Sequence, residues 1–215
     1  MAQAGARPWA RSDAKHQAIV RAAREVFLSN GYLGTNMDLI ASRSGVSKQT
    51  VYTHFGSKEA LFLEIVGSMT GDAGDRVHHE RPELGDGDDL GAYLRAFAER
   101  QLRIVTEPEL LQLRRLVIGE VGRFPELAKV LYERGPQRAI DEITAMFQRL
   151  RERGLLSCDD PAAAAEWFNW LVMAAPLNRA MMLGDAAVPD EGDLREHVAE
   201  AVRIFLAAFG PAPRS

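Results

Sequence analysis

Cysteine is all but absent from this chain: Cys158 is the single one in 215 residues. One thiol cannot close an intrachain disulfide, and it cannot supply the ligands of a cysteine-based zinc finger. That usage suits a reducing cytoplasm, where the chain is expected to reside. Asp159 and Asp160 follow Cys158 directly, and acids hold a thiol in its protonated form, which argues against a redox sensor. No run of about 18 apolar residues occurs, so no membrane span is expected. The N-terminus, M-A-Q-A-G-A-R-P-W-A, lacks the apolar stretch of a secretory signal. Alternating β-branched runs are missing too, so strands are not expected. There is no nucleophile elbow, phosphate-cradling glycine loop or metal triad. His16, His54, His78, His79 and His197 are scattered over unrelated segments. Neither an enzyme, a metal nor a cofactor is expected.

Net charge is low and negative, −4, but it is unevenly spread. Through Lys58 there are eight basic residues (Arg7, Arg11, Lys15, Arg21, Arg24, Arg43, Lys48, Lys58) against three acids (Asp13, Glu25, Asp38), a surplus of five. The remainder therefore carries −9. A basic head on an acidic body orients a molecule on a polyanion and limits non-specific sticking.

Helical periodicity fills most of the chain. A first helix is expected from Asp13 to Asn30, with Ile19, Ala22, Val26 and Phe27 inward and Gly31 ending it. Residues 1–12 read as a flexible basic arm; Arg7 and Arg11 could enter a groove or lie in solvent. A longer helix starting at Lys58 carries Leu61, Phe62, Ile65, Val66 and Met69. Gly71–Asp89 reads as a loop, with His78, His79 and Glu80 solvated in it. A helix follows from Asp89 to Thr106. Pro108 and Pro125 suit the first turns of two more, and Pro136 should kink or break the second. Gly154 ends the next helix. Asp160-Pro161 opens a very apolar one, bent at Pro176, and Leu194 to Phe209 form the stripe of the last.

The informative segment is T-N-M-D-L-I-A-S-R-S-G-V-S-K-Q-T-V-Y-T-H-F-G-S-K, residues 35–58. Thr35 with Asp38 three residues on resembles a capping box. Ala41 is small enough for two helices to cross there. Gly45 suits a left-handed turn, which carries no Cβ penalty for glycine. Val46 plugs the turn, Ser47 is a good N-cap, and Val51 and Phe55 point inward. Ser57 caps a third helix beginning at Lys58. Ser47, Lys48, Gln49, Thr50, Tyr52, Thr53 and His54 all carry hydrogen-bonding groups and none is acidic. That is the composition of a surface for phosphates and base edges, on the second helix of a helix-turn-helix.

T-x-M-D-x-I-A, G-V-S-K-x-T-V-Y-x-H-F and S-K-E-A-L-F together resemble the DNA-binding domain of TetR/AcrR-type transcriptional regulators. The run L-R-R-L-V-I-G-E-V-G-R-F-P-E-L-A-K-V-L-Y-E-R-G-P is similar, less specifically, to the C-terminal domain of an AefR-like subgroup. The resemblance implies an all-α homodimer: a helix-turn-helix DNA-binding domain over residues 13–58 and a larger ligand-binding and dimerisation domain over 59–215. It implies a ligand-responsive regulator, a repressor in the first instance, on a pseudo-palindromic double-stranded operator. By position, Lys48, Gln49 and Thr50 would read bases, and Tyr52, His54 and Lys58 would touch phosphates. Thr35 would cap the helix end that meets a phosphate. The alternative is a DNA-binding adaptor or architectural protein without ligand sensing.

The body is rich in large soft side chains, which adapt to apolar or aromatic effectors. The candidate ligand set is Phe97, Arg115, Phe124, Phe147, Trp167, Trp170, Met173 and Met181. Arg114, Asn178 and Arg179 are further polar anchors, and of the adjacent Arg114 and Arg115 only one should face a pocket. The last two helices are apolar on more than one side, which calls for burial on both. A two-fold dimer face built from Trp167, Leu171, Leu194, Val198, Val202, Phe205 and Phe209 is expected.

Overall fold

The computed structural model describes residues 8–78 and 84–211. Arg7, His79 and Glu80, and the side chain of Arg11, lie outside what is described. Among the described residues every regular element is helical. In chain order they are α1 (Pro8–Gly34), α2 (Met37–Ser44), α3 (Lys48–Phe55), α4 (Lys58–His78), α5 (Leu90–Val105), α6 (Pro108–Glu120), α7 (Pro125–Tyr132), α8 (Arg138–Glu152), α9 (Pro161–Leu183) and α10 (Glu191–Phe209). The chain folds as two compact units. One takes the residues up to Met69 together with Gln112–Val130; the other takes Thr70–Leu111 with Leu131 onward.

In the first unit, α1 begins five residues before the expected start, with a proline whose missing N–H costs nothing in a first turn. Its regular part ends at Gly31, which has φ 72°, a conformation open mainly to glycine. Ile19, Val26, Phe27, Ile40, Val51, Leu61, Phe62 and Ile65 close the core. Phe27, Tyr32, Phe62 and Phe124 form an aromatic cluster, with Tyr32 and Phe124 centroids 4.7 Å apart. Burial, helped by Glu59, Glu120 and Glu126, pushes the Tyr32 phenol above its usual pKa. The Gln112 side chain donates to the Leu28 carbonyl (2.7 Å), tying α6 to α1 at the residue where α6 enters this unit.

One expectation about connections fails and another takes a particular form. The segment 71–89 is not all loop: α4 continues to His78, because Ala73 and Val77 keep the helical stripe of Met69 going and are buried. Within the second unit this extension is tied down by Arg138 to Asp75 (2.6 Å) and by Arg76 to Glu107. Pro136, expected to kink or break its helix, distorts it without ending it. Residues Glu133–Gln137 form one π-helical turn between α7 and α8, and a wider turn is one of the few ways to carry a residue without an N–H inside a helix. Pro176 likewise lies inside a single helix, α9.

The second unit is built on α5, α8, α9 and α10. Phe97, Phe147, Phe168 and Phe205 stack and cross at centroid distances of 5.0–6.4 Å. Leu194, Val198, Ala201 and Val202 from α10 complete this core. Asp89, Asp160 and Asp190 cap α5, α9 and α10 through side chains that accept backbone N–H bonds.

Candidate nucleic-acid interface

The helix-turn-helix is assembled from short-range chemistry. Ala41 and Ile40 are buried on α2, and Val51 on α3. Between them Gly45 takes a left-handed φ of 69°, and its N–H bonds back to the Ala41 carbonyl. The Val46 N–H uses the same carbonyl (3.2 Å). The Ser47 hydroxyl accepts from the Thr50 N–H (3.1 Å), so α3 starts with a satisfied cap. Ser57 does the same for Ala60 at the head of α4 (3.0 Å). These constraints aim α3 with Val51 inward and Ser47, Lys48, Gln49, Tyr52 and Thr53 exposed. Thr50 and His54 are half-buried on the flanks.

The polar groups are partly engaged. Thr50 and Ser47 hydroxyls lie 2.9 Å apart, and the Thr53 hydroxyl donates to the Gln49 carbonyl (2.8 Å). The Gln49 side chain projects from the first turn of α3, a turn with no acid in it. Lys48 donates to Asp38 of α2 (2.9 Å), and this bond and the attraction of the carboxylate raise the lysine pKa. The face is therefore free of acids on α3 itself, but an acid reaches it from α2. His54 and Phe55 pack beside His16 of α1, the His16 and Phe55 rings being 4.8 Å apart. Phe55 is half-buried, covered by a histidine instead of sinking into the core.

Two site assignments are corrected here. Thr35 does not cap α2. It is 2% exposed and its hydroxyl donates to the carbonyls of Gly31 (2.7 Å) and Val26 (3.3 Å). Its exposed neighbour Asn36 is the cap, accepting from the Leu39 N–H (2.8 Å). Asp38, with Lys48 as its partner, is not half of a capping box. Lys58 is not held out for phosphate. Its ammonium donates to the Tyr32 (2.9 Å) and Thr35 (3.0 Å) carbonyls and sits 4.4 Å above the Tyr32 ring. A cation satisfying carbonyls left over where α1 ends is a structural clasp.

The body residues also divide differently from expectation. Arg115 and Phe124 fall in the unit that holds the helix-turn-helix. Phe124 packs on Tyr32 there, and Arg114 is desolvated enough to lower its pKa. Phe97, Phe147 and Met173 are closed into the core of the second unit. Trp167 and Trp170 line no interior: they are 65% and 39% exposed on the outer face of α9. Met181 is half-buried. A groove of about 470 Å³ does open in this unit, beside Ile140 and Ala163, but Asp141, Asp160 and Glu166 make it acidic, and none of the expected ligand residues lines it. The α10 stripe is corrected as well. Leu194, Val198, Val202 and Phe205 are buried within their own chain, so their apolar surface is spent before any second copy arrives. Leu171 and Phe209 are half-buried against the same core.

Among the described residues no helix is long and apolar enough to cross a membrane. Residues 19–65 match the family model described as bacterial regulatory proteins, tetR family. Residues 92–211 match the C-terminal domain of AefR-like transcriptional repressors. The solved structure of a TetR-family transcriptional regulator from Mesorhizobium loti is 36% identical, with a TM-score of 0.86 over 93% of this chain and 98% of that one. The flavonoid-responsive regulator FrrA is 32% identical, with a TM-score of 0.77 over 94% and 98%. The transcriptional activator FasR of Mycolicibacterium smegmatis is 44% identical over 54 residues, and the match spans only a quarter of either protein. The DNA-binding head is thus shared widely and the body more narrowly. With a capped, acid-free α3 braced across α2 and both family models matched in order, the chain belongs to the TetR family of bacterial transcriptional regulators.

Proposed function

We propose that this regulator is a repressor that binds a pseudo-palindromic operator as a homodimer and is released by a small apolar or aromatic effector held in the body. The observation that carries the DNA-binding part is the outward face of α3. Gln49, Tyr52 and Thr53 are exposed on a helix whose inward residue, Val51, is fully buried. Gln49 and Thr50 read base edges, for which amide and hydroxyl groups are suited. Tyr52 and the exposed Asn36 end of α2 meet phosphates. Lys48 exchanges Asp38 for the DNA backbone or a base. On this reading the DNA-binding function lies in residues 13–58 and the effector and dimer functions in 59–215.

The dimer face is moved from the α10 stripe to the exposed side of the last two helices. Trp167 and Trp170 lie one turn apart on α9, Met182 follows further along it, and Ile204 is exposed on α10. Apolar groups of that size left in water favour a second copy placed by a two-fold axis. Two recognition helices about 34 Å apart would then enter successive major grooves. The effector class is supported by the aromatic core of the body and by the similarity to FrrA, a flavonoid-responsive regulator. Coupling needs no chemistry, only a differential affinity of the effector for two arrangements of the dimer.

The test is selection of genomic fragments by the purified full chain, followed by footprinting. A two-fold symmetric footprint that shifts its sequence preference in Gln49→Ala and weakens uniformly in Tyr52→Ala supports the reading. Recovery of no enriched sequence would remove it.

A further inference from the structure

The second unit buries a pair of amides that bond to each other. Gln101 of α5 and Asn169 of α9 are each 3% exposed. The Gln101 amide nitrogen donates to the Asn169 side-chain oxygen at 3.1 Å. The Gln101 carbonyl oxygen, Oε1, is buried and has no hydrogen-bond partner among the described residues. One turn before Gln101 on α5 is Phe97. Phe168 precedes Asn169 on α9, and Met173 lies one turn beyond it; all three are buried.

Such an atom is costly. A buried acceptor without a donor sacrifices its hydration, whereas an apolar residue of the same shape would lose nothing. The pair does not serve the backbone, since both helices keep their own hydrogen bonds and α5 is capped by Asp89. A buried polar atom left in this state is accounted for when something satisfies it in a working state of the protein. Here that something must supply a donor, because Oε1 can only accept. It must also suit the apolar core to which Phe97, Phe168 and Met173, each within a turn of the pair, belong.

We infer that Gln101 Oε1 is the polar anchor of the effector site, and that the effector is an aromatic or otherwise apolar molecule bearing a hydroxyl or N–H that donates to it. This rests on the effector-responsive reading above and narrows it to one hydrogen bond. Asn169 is a positioning residue: by accepting from the Gln101 nitrogen it fixes the plane of the amide and with it the oxygen. A site built around a buried acceptor discriminates strongly against the analogue that cannot donate.

The test uses three probes of one shape: 2-naphthol, 2-methoxynaphthalene and naphthalene, titrated calorimetrically into the full-length protein. The naphthol should bind about tenfold or more tighter than either of the others, which should resemble each other. In Gln101→Met, which keeps length and burial, the three should bind alike. Gln101→Leu is the second variant should the first be poorly folded, and the ranking in the unaltered protein stands without either. Equal binding of naphthol and methoxynaphthalene, an unchanged ranking in Gln101→Met, or no binding of any probe would overturn the inference. Operator binding, measured in parallel without probe, separates the two levels. Retained operator binding with a failed ranking sinks the anchor alone, whereas loss of sequence-specific DNA binding sinks the regulatory reading beneath it.

Discussion

The helix-turn-helix and the α9–α10 layer solve opposite problems. α3 is eight residues long and buries Val51 alone, so its placement depends on caps and a glycine turn. α9 is 23 residues long and buries Ala164, Ala165, Phe168, Val172 and Met173, so packing as well as its Asp160 cap places it. Where few side chains anchor a helix, its exposed face is free to be polar and specific. Where many do, the excess appears outside as Trp167 and Trp170.

That contrast can be broken by substitution. The largest effect is expected from Phe205→Ala, which opens a cavity under α10: a loss of about 3–5 kcal/mol in denaturant unfolding, felt by the body. Gly45→Val should cost about 1–3 kcal/mol through a β-branched residue at positive φ, and operator affinity should fall while the helical content of the body, followed by circular dichroism, persists. Asn36→Ala should cost about 1 kcal/mol as a lost cap. Ala at Asp38, by contrast, should leave stability within about 0.5 kcal/mol, as exposed ion pairs do; a reversal of those two would restore the capping-box reading. The smallest effect concerns pH. The Arg103 guanidinium holds the Glu191 carboxyl below its usual pKa. A depressed carboxylate pKa stabilises the fold above the unfolded-state value and loses that contribution as pH falls through the folded-state value. The Tm difference between the native protein and Arg103→Leu should therefore be steady near neutrality and shrink in acid.

The parts that were legible in the sequence are those whose physics is local. Gly45, Ser47 and Val51 act within four residues of themselves, and the structure finds each where its spacing put it. Thr35 was misread because threonine and asparagine both cap, and the choice between them was made by burial against α1. Lys58 was misread for a similar reason: its partner carbonyls are 26 and 23 residues earlier. Periodicity marked the α10 stripe as apolar but carried no information on whether its own chain or another would cover it. Gln101 went unnoticed because a single polar residue in an apolar stripe looks like the edge of that stripe until its depth is known.

Two of the chain's three tryptophans sit on one outer face of α9. An indole in water emits at longer wavelength than one that is covered. Anything that settles on that face will therefore shift the intrinsic emission to the blue, with no dye attached. A dilution series read at 295 nm excitation would show whether a second copy does so, and at what concentration it leaves.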